Sequence, residues 1–184
     1  AANGILSDAW ANFNNGVYRA NLVLDQIDEA TFDEQLKNQF KGEALFIRAL
    51  TYFNMYRIWG GVPTTRKTVG PSEALQIGRS SEEEMYDLIA GDLEYIVDEN
   101  LLPSSYDGNN IGRATLGAAQ TLLGKVNLTF GKWEEARDVL SDVIGNYSLM
   151  SNPEDVFDVN NKMNNEIIFA IRFNKDEIGE GHVF

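Results

Sequence analysis

Cysteine is absent from the 184 residues and histidine occurs once, at His182. The first absence excludes a disulfide framework, a thiol nucleophile and a thiolate metal site, and the second excludes a cluster of imidazole ligands. Basic residues are scarce as well. Fifteen of them against twenty-eight acidic residues leave a net charge of -13, which repels nucleic-acid phosphates and anionic lipid surfaces. No nucleic-acid partner is expected. No apolar run approaches the ~20 residues that cross a bilayer, and the opening AANGILSDAW lacks a signal-peptide pattern, so an export signal or lipid anchor would stand upstream of Ala1. The ending EGHVF closes on an apolar pair without a helix stop, and the chain is expected to be part of a longer one. What is present is 43% hydrophobic content in a length that suits one core.

That content recurs at helical spacing. Trp10, Phe13, Val17, Leu24 and Ile27 define an amphipathic helix over about 7–29, and a second runs from about Phe32 to Trp59. In the second, Phe46, Ala49, Leu50, Phe53 and Arg57 form one stripe and Ala44, Ile47, Thr51, Met55 and Ile58 another. Little of its circumference is left for water, so a central helix buried on several sides is expected. Gly60 or Gly61 supplies the left-handed residue that closes it and Pro63 forbids its continuation, a scaffolding role for all three. Ser81 and Glu84 make a capping box for a helix over about 81–100, carrying Met85, Leu88, Ile89, Leu93, Ile96 and Val97. Residues 103–112, PSSYDGNNIG, are turn chemistry and predict an exposed loop. Thr115 caps a fourth helix that Gly131 ends. A fifth follows over about 132–144 with Trp133, Ala136, Val139, Leu140, Val143 and Ile144 facing inward. NEIIFAIRF predicts a short strand at about 166–173.

The last two helices share a short loop, and Leu123, Gly124, Gly131, Trp133 and Ala136 fall at the small-residue and aromatic offsets of a tetratricopeptide repeat. Gln120 and Asn127 depart from that pattern. The fold class expected is mainly α, with tetratricopeptide-like stacked helix hairpins in an α/α superhelix and a short strand element near the C-terminus.

Candidate sites are few. Sugars are held by aromatic faces beside amide and carboxylate groups, and SSYDGNN offers Tyr106, Asp107, Asn109 and Asn110 in that manner, although the same residues build ordinary solvated turns. Trp10, Trp59 and Trp133 lie on apolar stripes and are expected in the core rather than as sugar platforms. Arg48 and Arg113 invite a carboxylate-clamp reading, but Arg48 lies in the most buried helix. A structural pairing with an internal acid or a helix end fits better. Glu82, Glu83 and Glu84 occupy a first helical turn and suit its dipole, and Asp138 and Asp142 have no further groups to complete a cation shell. No metal site or cofactor is expected. Phosphate loops, nucleophile elbows and zinc helices are missing, and no carboxylate pair is singled out by context, so no enzyme activity is expected.

Several blocks, in order, carry a resemblance over nearly the whole chain. AWANFNNGVYRANLVLDQID, GEALFIRALTYFNMYRIWGGVP, RSSEEEMYDLIAGDLEYIVDENLLP, IGRATLGAAQTLLGKVNLTFGKWEEARDVLSDVIGNYSL and NEIIFAIRF together resemble the SusD-like (RagB/SusD) nutrient-uptake lipoproteins. The specific part is the combination of Glu43-Ala44, Arg48-Ala49, Tyr52-Phe53, the Gly-Gly-Val-Pro stop and Gly112-Arg113-Ala114-Thr115. Leu45 departs from the basic residue common there. The resemblance implies a glycan- or peptide-binding lipoprotein on the surface of a Bacteroidetes outer membrane that delivers ligand, most simply a neutral oligosaccharide, to a TonB-dependent SusC-like transporter. Members are much longer than this chain, and their ligand contacts vary, so none carries over to a numbered residue. A tetratricopeptide adaptor holding a peptide is the alternative, and a helical carbohydrate-active enzyme a distant third.

Overall fold

The computed structural model describes residues 3–171, and its elements are helices. In α1 (Gly4–Gln26) the Asn3 side chain accepts the Ile5 N–H at the start, and a 3₁₀ turn at Ile27–Glu29 follows the end. Asp33 does the same for α2 (Glu34–Trp59) by accepting the Leu36 N–H. Each cap satisfies a donor that the first turn would otherwise leave open. A four-residue helix, α3 (Pro71–Ala74), precedes α4 (Glu82–Asp98), whose Ser81–Glu84 capping box forms in full. Thr115 caps α5 (Leu116–Thr129), Gly131 turns the chain at φ 73°, and α6 (Trp133–Ser141) and the short α7 (Pro153–Val156) complete the set. Removing the hydroxyl at the head of α4, Ser81→Ala, is expected to cost about 1 kcal/mol, measurable as a lowered denaturation midpoint.

Packing follows chain order: α1 lies on α2, α2 on α4, α4 on α5 and α5 on α6. Phe46, Phe53 and Met55 of α2 meet Met85, Ile89, Leu93 and Ile96 of α4 and Val126 of α5 in one core. Each such side chain, taken out of water, contributes roughly 1.5–3 kcal/mol. Small residues set the approach of the helices. A Cβ at Gly124 would collide with Leu140 of α6, and one at Gly42 would press on Leu102.

The centre of this core is not wholly apolar. Arg48, buried in α2, donates from Nε (2.7 Å) and Nη2 (2.8 Å) to the two carboxylate oxygens of Asp92 in α4. Its Nη1 donates to Asn21 Oδ1 of α1 (2.7 Å) and to the Arg66 carbonyl (2.8 Å). Asn21 in turn donates to the Lys67 carbonyl, and the Thr65 N–H donates to Tyr52 Oη. One guanidinium therefore joins α1, α2, α4 and the segment leaving α2.

The structure departs from the sequence reading at several points. Among the described residues there is no strand. Ile168 and Phe169 instead pack on the helical core, with Phe169 edge-on to Phe46, and among the described residues no second extended segment is paired with them to satisfy a strand's backbone. Arg172, Phe173 and His182 lie outside the described residues. Trp133 is 66% exposed and Ile144 82% exposed, not inward. Trp133 is the first residue of α6, at the loop end of the hairpin, and α6 stops at Ser141, so Ile144 falls in a turn outside the helical period. Trp10, at the rim, packs edge-on against Trp59. Ile47, Ile58 and Arg57 of α2 face solvent, because α1 and α4 cover two of its sides and leave the third open.

Candidate functional site

The start of α5, the loop before it and the chain after α6 enclose a cleft of about 670 Å³, within the range of small-molecule sites. Its walls carry Tyr106 and Tyr147, the amides Gln120, Asn146, Asn164 and Asn165, the serines 104, 105 and 148, and the apolar Ile111, Leu116, Met163, Ile167 and Ile168.

Two local devices shape it. The loop is tied down at its base, where the Leu116 N–H donates to the Pro103 carbonyl (3.0 Å), and on its inner side by Glu43 of α2. Arg113 donates to that carboxylate from Nε (2.7 Å) and Nη2 (2.5 Å), and the Tyr106 hydroxyl donates to it at 3.0 Å. Burial first, and then the facing Glu43 charge, push the Tyr106 phenol well above its ordinary range, so it stays a donor. The Glu43 hydrogen bond likewise raises the Arg113 pKa and keeps the guanidinium charged. On the opposite wall Tyr147 lies directly over Gly117, where any Cβ would strike its ring and hydroxyl. Glycine at 117 is the seat of that aromatic.

Some of the polar groups are already spent. Asn164 donates to the carbonyls of Val156 and Asn161, and Asn146 to that of Asp142. Others are not. Gln120 is only 8% exposed, yet its amide has no protein partner, and the side chains of Asn165, Ser104, Ser105 and the Tyr147 hydroxyl are likewise uncommitted among the described residues. Aromatic faces beside uncommitted amides and hydroxyls suit a ligand rich in hydroxyl groups.

Of the four loop residues singled out from sequence, Tyr106 reaches the cleft wall. Asp107, Asn109 and Asn110 sit on the exposed outer turn, and Asn110 meets the lining residue Arg113 twice, its carbonyl accepting the Arg113 N–H (3.1 Å) and its Oδ1 facing Arg113 Nη1 at 3.5 Å. Arg48 is far from solvent, in the ion pair described above. Gly60 stands at φ 72° and ends α2, Gly61 abuts the Ser80 carbonyl, and Pro63 follows in the same exit segment. Trp133 stands on the surface, away from the cleft lining. Sequence reasoning missed Gln120, Tyr147 and Asn165. The amide-rich run NNKMNN before NEIIF was a signal for the last.

Residues 2–128 match the family model for starch-binding proteins associating with the outer membrane. The chain belongs to the SusD-like family. It is 30% identical over 178 residues to SusD-like protein P25 of Formosa agariphila, covering 95% of this chain and 33% of that protein. A laminarin-binding SusD-like protein superposes with a TM-score of 0.83 at 32% identity, over 88% of this chain and 36% of the other. Another structure, solved with xylogluco-oligosaccharide, superposes at 0.79 with 33% identity, over 92% of this chain and 36% of that one. The chain thus spans about one third of the length of the curated relative.

Proposed function

We propose that the whole protein binds an oligosaccharide at the outer-membrane surface and delivers it to a TonB-dependent SusC-like transporter. A lipid anchor, supplied by chain outside these residues, would hold it to the membrane, and no catalytic step is involved. In this reading residues 1–184 act as one tetratricopeptide-like helical unit, and the cleft between α5 and the chain after α6 receives the sugar. One observation carries the assignment. In a SusD-like chain, two tyrosines and the uncommitted amides of Gln120 and Asn165 line one cleft. Tyr147 and Tyr106 supply stacking faces, the amides pair with sugar hydroxyls, and the exposed Asp107, Asn109 and Asn110 extend the contact at the rim. Laminarin and xylogluco-oligosaccharide, bound by relatives, define the β-glucan probes to use first.

Calorimetric titration of the full chain with laminari- and xylogluco-oligosaccharides tests this. Saturable binding is expected, with Tyr147→Ala weakening it at least about tenfold while the melting temperature stays within a few degrees. Recovery of a large outer-membrane barrel with the protein from detergent-solubilised membranes would support the transporter. No binding to any glycan, with only soluble partners recovered, would sink the reading and bring forward the peptide-adaptor alternative.

A further inference from the structure

Six polar or charged side chains are buried among the described residues: Asn21, Arg48, Thr51, Asp92, Gln120 and Asn127. Five of them are bonded within the protein. Arg48 donates to Asp92 and Asn21, Thr51 donates to the Ile47 carbonyl, and Asn127 accepts the Tyr86 hydroxyl. Gln120, 8% exposed, has no protein partner. A buried exception of this kind calls for a ligand or a water. Its amide is not sealed in the core. No fully buried side-chain nitrogen or oxygen is unpaired among the described residues, so both ends of this amide reach an accessible surface, that of the cleft which Gln120 lines. The other polar side chains of the lining are all less deeply set. Glutamine at 120 departs from the repeat pattern of the α5–α6 hairpin, so the pairing of those helices does not call for it. Tyr147 lies over Gly117, which precedes Gln120 by three residues on α5, and this brings an aromatic face and the open amide to one side of the helix.

We infer that Gln120 is the specificity-determining residue of this cleft and that it reads a pair of adjacent free hydroxyls on one sugar ring. The inference rests on the glycan reading above and adds the class of ring that is accepted and the residue that selects it. A carboxamide carries one acceptor, Oε1, and one donor, Nε2, side by side in a plane. Two hydroxyls on neighbouring ring carbons answer both at once, one donating to Oε1 and the other accepting from Nε2. A lone hydroxyl answers one and leaves the other half of a deeply set amide unpaired, which is where rejection of the wrong ligand arises. Linkage then decides which rings fit. Every ring of a 1,4-linked chain keeps its 2- and 3-hydroxyls free, whereas a 1,3-linked chain spends the 3-hydroxyl of each interior ring and offers an adjacent pair at its end rings alone.

The test titrates two matched probes into the full chain, methyl β-cellotrioside and its analogue lacking the 3-hydroxyl on every ring, which has no adjacent pair left. The wild-type protein should favour the intact trioside by at least about tenfold, a difference of about 1.4 kcal/mol. Gln120→Met keeps the length of the side chain and removes the amide. It should weaken the intact trioside, leave the deoxy analogue unchanged and bring the two affinities within about twofold, the pattern of a direct coupling in a double-mutant cycle. Its melting temperature should equal or exceed that of the wild type, because the amide has no protein partner to lose. Equal wild-type binding of both probes would mean that only water meets the amide, and it overturns the inference whether or not the variant folds. So does a Gln120→Met chain that melts well below the wild type or weakens both probes alike, since either marks a structural glutamine. Binding of a laminari-oligosaccharide but not of the trioside likewise overturns the inference alone. Binding of no oligosaccharide at all overturns the glycan reading, and the inference with it.

Discussion

Asp92→Asn is expected to destabilise the protein by about 3–5 kcal/mol, a large share of the 5–15 kcal/mol that holds a typical domain together. The side chains of Arg48 and Asp92 are 5% and 3% exposed, so the cation left behind has no water to turn to. Arg48 would keep Asn21 and the Arg66 carbonyl, but these are dipoles, not a counter-charge. Arg66 sharpens the effect, because its Nη1 lies 3.5 Å from the same carboxylate and would then face Arg48 without an acid between them. Guanidinium denaturation should show a lowered midpoint at an unchanged slope. Replacing both partners, Arg48→Met with Asp92→Leu, should restore most of the loss, since an apolar pair avoids the desolvation penalty. A single variant within about 0.5 kcal/mol of the wild type would show that the pair contributes little to folding.

Gly61→Ala should cost about 3 kcal/mol, at the upper end of what overpacking commonly does. A Cβ at that position meets the Ser80 carbonyl oxygen far inside van der Waals contact, and that atom is backbone, so no side chain can swing aside. The same two segments are held together by the Ser80 N–H donating to the Val62 carbonyl (3.1 Å) and by the paired hydroxyls of Thr64 and Ser80 (2.8 Å). Relief would have to open this contact. Pro63→Ala should be milder, about 0.4–1 kcal/mol through the freedom gained by the unfolded chain. Neither residue lines the cleft, so oligosaccharide affinity of the folded variants should equal that of the wild type. Lost affinity at full stability would show instead that this segment belongs to the binding surface.

Helices were legible because their signals are local. Ser81 with Glu84, Thr115 before Leu116 and Gly131 after Thr129 mark ends that the backbone obeys wherever the rest of the chain goes. The inward faces were less so. Periodicity shows that a stripe is apolar, not that another element arrives to cover it, and Trp133, Ile47 and Ile58 are stripes without a cover. Within NEIIFAIRF, the described residues 165–171 form no strand for a related reason. Its composition suits a pleated surface, but a strand needs a partner, and here Ile168 and Phe169 are taken up by the helical core.

The cleft was legible in only one wall. Tyr106 stood out as an aromatic among turn residues, whereas Gln120 reads as a flaw in a repeat pattern and Tyr147, beyond the fifth helix, carries no signal of its own. Their meeting depends on Gly117, which is unremarkable in sequence until the ring above it is seen. The sequence by itself determined the five long helices and the capped ends of α4 and α5, the absence of thiol and clustered-histidine chemistry, and the family resemblance, because each depends on residues close together in the chain or on composition alone. Only the tertiary structure decided that Glu43 neutralises Arg113, that Asp92 is the acid under Arg48, and that Gln120 and Tyr147 share a cleft. Those pairs stand 27 to 70 residues apart, and which side chains meet over such separations is set by the packing of whole helices, to which no local signal gives access.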